Sequence, residues 1–256
     1  MSSLRKYGAP AAVFVGVLVL WQAWVRVAGI KGFLLPPPTE ILSTLGTEWS
    51  EVWAAGFFTL REALGGLVGG TILGVLAAFA TSRWLIIREG LMPFSIAVGS
   101  APIIALAPIT NQWFGITNPV SKMTVVGVMV FFPVMINMVR GLNEVGSAKL
   151  ELMRSIAASD SATLSKVRMP SALPYLISAL KVAVVLSLIG AIVTEYFGGS
   201  RAALGVYISQ QAGLTRMAEA WSGIVVATLL GAGLQILLIV AERLVIPWHP
   251  SMRRRE

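Results

Sequence analysis

Residues 221–241 read WSGIVVATLLGAGLQILLIVA, with no charged side chain. At 1.5 Å rise per residue such a helix is about 30 Å long, the thickness of a bilayer's hydrocarbon core. It is apolar on every side, so lipid is its natural solvent. Working outward, the whole 256-residue chain has the same character: 56% hydrophobic, 12% charged, mean hydropathy +0.78. A soluble globule of this size cannot bury that much apolar surface in one core, and disorder requires the opposite composition. Five further apolar segments lie upstream, at 10–27, 63–80, 91–109, 123–139 and 176–197. The expected fold class is an all-α membrane protein of six transmembrane helices, a single transmembrane domain spanning 1–256.

Charge distribution sets the orientation. The chain carries 20 Lys and Arg against 12 Asp and Glu, net +8. With the N-terminus inside, the outer segments hold only Lys31, Lys122, Arg201 and Arg216, while Arg26, Arg61 and Lys181 lie in or beside spans. The remaining cations fall in interior segments, so both termini are expected in the cytoplasm. The basic balance is therefore a topology signal, and nucleic acid is not an expected partner. Arg5 and Lys6 ahead of the first span resemble a signal peptide, but the apolar run is span-length and no A-x-A site follows it, so it reads as a retained anchor.

The segments between the spans carry more detail. The outer stretch 34–50 contains Pro36, Pro37 and Pro38, then Thr39 as an expected N-cap and Ile41, Leu42, Leu45 and Trp49 at helical spacing. It reads as a short amphipathic helix on the outer membrane surface, or as an ordered loop on the bundle. The second span repeats glycine at 65, 66, 69, 70 and 74, three overlapping G-x-x-x-G pairs that suit close helix packing within the chain or across a dimer. The third carries Pro102 and Pro108, which read either as kinks or as the broken backbone of a transport pathway. Asn111 and Gln112 beyond them suit a hydrogen-bonding solute or a loop. Lys181 either snorkels or faces solute, and Glu195 either gates, pairs with Arg61 or reaches water. The interior connection 140–175 is the longest: Asn143 is a candidate cap for a helix from Glu144, Leu150, Leu152, Met153 and Ile156 form an apolar stripe, and Ser159 or Asp160 caps a second short helix through Leu164 and Val167, ended by Pro170 and Pro174. Those stripes need cover from the bundle or from a docking partner.

Zero cysteine removes thiolate chemistry, and the single histidine, His249 beside Trp248, has no metal partner in sequence. No G-x-x-x-x-G-K-S/T occurs, and no nucleophile, base and orienter set can be assembled. No catalytic residue, bound metal or resident cofactor is expected.

The interior loop, Glu151-Leu152-Met153-Arg154-Ser155-Ile156-Ala157-Ala158-Ser159 followed by Val167-Arg168-Met169-Pro170-Ser171-Ala172-Leu173-Pro174, resembles the EAA loop of ABC importer permeases. Leu152 and Met153 stand where that pattern has alanines, and Ala157 where it has glycine. LLPPPTEIL, PIIALAPITNQWFGI, EYFGG with ALGVYI, and RLVIPWHP, in that order, resemble the nitrate/sulfonate/taurine/bicarbonate branch, which also includes importers of pyrimidine and flavin vitamin precursors. The resemblance implies a type I importer fold. It also implies a second permease subunit, a pair of ATPase subunits holding ATP and Mg, an extracytoplasmic solute-binding protein, and a plasma (inner) membrane location in a bacterium or archaeon. It makes Glu151, Arg154, Ala157, Ser159, Asp160, Leu164, Pro170 and Pro174 the ATPase-coupling loop. Pro102, Pro108, Asn111, Gln112, Lys181 and Glu195 are candidates for the pathway. The competing expectations are an ion-coupled secondary carrier, disfavoured because no acidic group reads as lying at mid-depth, and a non-transporting scaffold.

Overall fold

The computed structural model describes residues 3–84, 90, 97–99 and 101–246, and the regular structure among them is helical. The elements are α1 (Ser3–Val27), α2 (Pro38–Thr47), α3 (Trp49–Arg83), a 3₁₀ turn (Ile103–Leu106), α4 (Ala107–Phe114), α5 (Pro119–Asn143), α6 (Ser147–Ser155), α7 (Asp160–Thr163), a π segment (Leu164–Arg168), α8 (Met169–Tyr196), α9 (Leu204–Gly213) and α10 (Met217–Val245). Among the described residues five runs are long and apolar enough to cross a bilayer: Gly8–Val27, Trp49–Ser82, Pro119–Asn143, Asp160–Tyr196 and Met217–Val245. Of the expected span 91–109, residues 91–96 and 100 lie outside the described residues; its described end is the 3₁₀ turn running into the short α4. Trp248 and His249 also lie outside them.

The chain forms two compact units, residues 1–58 with 201–228, and 59–200 with 229–256. In the first, Trp21 of α1 and Trp221 of α10 pack with ring centroids 5.0 Å apart. The α2 helix starts two residues earlier than expected: Pro37 is its N-cap, and Thr39 instead bonds Gln22, accepting from Nε2 at 3.2 Å while its N–H donates to Oε1 at 3.1 Å. Ile41 and Leu45 are buried, whereas Leu42 points outward, so the apolar face is narrower than the spacing suggests. The Tyr207 hydroxyl donates to Glu48, tying α9 to the α2–α3 junction. Burial, with that carboxylate, holds the Tyr207 phenol above the usual tyrosine range, so it remains a donor at neutral pH.

The second unit is built on α5. Val126, Val130 and Val134 form its core with Ala63, Ala179, Ala183, Leu188 and Ala191. Helix direction follows from which residues meet. Gly66, Gly70 and Gly74 of α3 lie against Val126, Gly127 and Phe131 of α5 in ascending order, so α3 and α5 run parallel. A Cβ on Gly74 would sit 2.9 Å from the Phe131 carbonyl, and one on Gly70 would run into that of Gly127. Gly69 has nothing within 4 Å. The 66/70/74 stripe is thus a contact within the chain, made possible by the missing side chains. Gly141 meets Ala172 and Tyr175 while Gly190 meets Met129, so α5 and α8 are antiparallel. Lys181 bonds Glu242 at 2.7 Å and Leu188 meets Gly231, so α8 and α10 are antiparallel too.

Candidate functional site

The interior loop is folded, and its turn explains one departure from the EAA pattern. Asn143 does not cap the loop helix: it is the last residue of α5 and donates from Nδ2 to the Val139 carbonyl at 2.8 Å. The loop helix α6 begins at Ser147 after Gly146. At its far end Ala158 N–H donates to Met153 O and Ala157 N–H to Arg154 O, each at 2.9 Å, the paired closure of a Schellman motif. That closure needs a left-handed residue, and Ala157 supplies it with φ +48°. Glycine suits this position because a Cβ clashes there. Ser159 then caps α7, its Oγ accepting from Ala162 N–H at 3.2 Å. Of the apolar stripe, Met153 is buried, but Leu152 and Ile156 are 62% and 64% exposed. Glu151 and Arg154 are exposed beside them.

Pro170 and Pro174 do not end the loop helix. The backbone passes from α7 through the π segment into α8 as one run, Asp160–Tyr196. Pro170 sits in the first turn of α8, Pro174 lies inside it, and the wider π turn is closed by Met169 N–H donating to Leu164 O. Tyr175 OH donates to Glu144 Oε2 at 2.6 Å, fastening the start of α8 to the end of α5. Ser159, Asp160 and Leu164 come together with Phe79, Ser82 and Arg168 around an open groove of about 560 Å³.

The pathway candidates separate. Pro102 precedes the 3₁₀ turn, while Pro108 stands in the first turn of α4, where a proline breaks no hydrogen bond. Gln112 is exposed. Asn111 is 7% exposed and internally committed: Oδ1 accepts from Ser121 Oγ at 2.8 Å and Lys122 Nζ at 3.0 Å, and Nδ2 donates to Phe197 O at 3.3 Å. Lys181 is held by Glu242, and its carbonyl accepts from Gln235 Nε2 at 2.7 Å. Glu195 reaches no water; it is 1% exposed and accepts from Thr59 Oγ1 at 2.7 Å.

Those bonds belong to a buried polar cluster that sequence reading missed. Glu62 (2% exposed), Lys122 (1%) and Glu195 come from α3, α5 and α8. The Glu62 and Glu195 carboxyls are hydrogen-bonded, and Lys122 interacts with both. Lys122 also donates to Ile116 O, and Glu62 Oε2 is buried without a partner. Lys122 is therefore not an outer-loop cation, and the chain does bury acidic groups. Lys122 stands one residue before the expected span 123–139, which is why it reads as an outer-segment cation, and Glu62 stands one before 63–80. The signal was available: these two span starts and the end of 176–197 share one side of the bundle.

The family model for the binding-protein-dependent transport system inner membrane component matches residues 70–248. The chain is 29% identical over 257 residues to the riboflavin transport system permease RibX of Chloroflexus aurantiacus, covering 97% of this chain and 94% of that one. It is 32% identical to a probable ABC transporter permease of Haemophilus influenzae, with 73% and 77% covered, and 28% identical to the formylaminopyrimidine transport permease ThiX of Halalkalibacterium halodurans, with 96% and 98% covered. The crystal structure of an amino acid ABC transporter with histidines superposes with a TM-score of 0.59 at 15% identity, covering 81% of this chain and 96% of that one, a likeness of fold. With 179 of its residues spanned by the family model and its loop and bundle folded as described, the chain belongs to the binding-protein-dependent inner membrane components, the permease subunits of ABC importers.

Proposed function

We propose that this permease spans the plasma (inner) membrane six times with both termini inside, and lines a pathway for a small organic solute together with a second permease subunit. The parallel course of α3 and α5 supports the sixth crossing, within residues 84–118. An extracytoplasmic binding protein delivers the solute. Two ATPase subunits hold ATP and Mg and dock on Glu151–Ser159 and the segment that follows.

One observation carries the coupling role: the loop leaves Leu152 and Ile156 exposed and then continues from Asp160 to Tyr196 as a single helical run. An apolar pair at the interior surface needs a partner's groove to cover it. A push there passes through the hydrogen-bonded turn at 156–159 and is then transmitted along that one helical run. The test is Leu152→Glu with Ile156→Glu, two exposed positions whose substitution spares the core. The expected result is a normally inserted permease that no longer co-purifies with its ATPase and no longer supports uptake. Uptake at the parental rate would refute the docking surface.

A further inference from the structure

The coupling role leaves the buried cluster of Glu62, Lys122 and Glu195 without a task. It lies within the second unit, where the start of α5 and the end of α8 meet the flank of α3. Glu195 is one residue from the far end of the run Asp160–Tyr196, so roughly 50 Å of helix separates it from the interior loop. Two carboxyls hydrogen-bond to each other only with a proton between them, because an ionised carboxylate is an acceptor alone. The Glu62–Glu195 bond therefore holds one proton. Glu195 accepts from Thr59 Oγ1 at 2.7 Å, whereas Glu62 Oε2 is buried with no donor. An ionised Glu62 would bury charge on that oxygen, so the proton resides on Glu62 and the charge on Glu195.

Lys122 supplies the countercharge, and its Nζ also donates to Asn111 Oδ1 at 3.0 Å and to Ile116 O. Arg61 and Tyr196, the chain neighbours of the two carboxyls, are exposed, and Tyr196 interacts with Glu195. The protonated cluster is thus neutral. Loss of the proton sets two carboxylates against one ammonium and leaves a negative charge that the closed bundle cannot solvate. We infer that the cluster is a proton-binding latch: one proton held between Glu62 and Glu195 keeps α5 and α8 closed on α3, and its release to water lets them part. In that step the Glu62 O–H bond breaks, its electron pair stays on the carboxylate and the proton passes to water. The closed state binds one proton more than the parted one, so alkaline pH opens the latch, by up to roughly tenfold per pH unit.

The cysteine-free chain makes the test direct. Thr194 is 1% exposed and stands one turn beyond Gly190, which meets Met129 and Val126 of α5. In the complete transporter in lipid nanodiscs, Thr194→Cys is alkylated with iodoacetamide from neutral to alkaline pH. Its rate is divided by that of the exposed Gln112→Cys, which takes out the thiol's own titration. The ratio should climb by up to roughly tenfold per pH unit on the alkaline side. Tyr196→Phe should leave the climb in place. Glu62→Gln, whose amide still donates to Glu195 but cannot ionise, should flatten it. Where Glu62→Gln does not assemble, Glu195→Gln also leaves one carboxyl to one ammonium and should be equally flat. A flat ratio in the parent overturns the latch. So does a climb that persists in the glutamine variant, which would assign the titration to Lys122 or elsewhere, or one abolished by Tyr196→Phe. Neither ATP nor solute enters this experiment, so its result is independent of whether the loop docks an ATPase.

Discussion

Ala157 shows how a single dihedral carries a motif. The loop closes only if residue 157 is left-handed, and alanine holds that conformation at a cost of roughly 1–2 kcal/mol. Ala157→Gly should therefore stabilise the turn by about 1 kcal/mol, seen as slower amide exchange at Ala157 and Ala158. Ala157→Val should loosen it and weaken ATPase docking in the same assay. The sequence showed that a glycine was missing, but not that its backbone conformation was retained, because φ is not written in composition. Lys122 makes the complementary point. Its neighbours are Glu62 and Glu195, a buried hydrogen-bonded carboxyl pair that shares a proton, so Lys122→Met leaves the pair's one negative charge without a countercharge and should cost about 3–5 kcal/mol. Adding Glu195→Gln to Lys122→Met should recover part of the loss, because the pair is coupled; thermal unfolding of the purified chain measures both. Simple additivity would mean that the cluster contributes no joint stability.

At the scale of helices, glycine spacing was legible as a packing stripe, but three overlapping pairs did not say which residues touch what. Contact decides it. Gly70 stands against the α5 backbone and Gly69 against nothing within 4 Å. Gly70→Ala should push α3 off α5 and lower the yield of folded permease sharply, since backbone cannot move aside as a side chain can. Gly69→Ala should leave yield unchanged or raise it slightly through helix propensity. Size-exclusion profiles of the two variants in detergent distinguish them, and equal behaviour would mean that the stripe is not a tight α3–α5 contact. Helix ends were the weakest part of the reading for one physical reason. Apolar windows find the lipid-solvated middle of a helix and miss polar extensions: α3 begins at Trp49, fourteen residues before the expected 63, and the second loop helix, α7, is continuous with α8 through a π turn.

For the whole chain, hydropathy and charge bias supplied the class, while pairing between helices supplied what periodicity cannot: direction. Parallel α3 and α5 place Arg83 and Pro119 at opposite ends of the bundle, as the proposed sixth crossing needs. If α6 lies inside, as proposed, α5 enters it from outside, and the proposal puts the loop before α5 outside together with the segment after α1. This makes a topology prediction independent of hydropathy. Three single cysteines suffice, at Lys31, Thr117 and Ser155, all exposed. In intact cells a membrane-impermeant maleimide should label Lys31→Cys and Thr117→Cys, and should label Ser155→Cys only after permeabilisation. Labelling of Lys31→Cys without Thr117→Cys before permeabilisation, and of both afterwards, would put the start of α5 inside. Residues 84–118 would then not cross, the interior loop would be displaced to the outer face, and the docking of an ATPase there would be untenable.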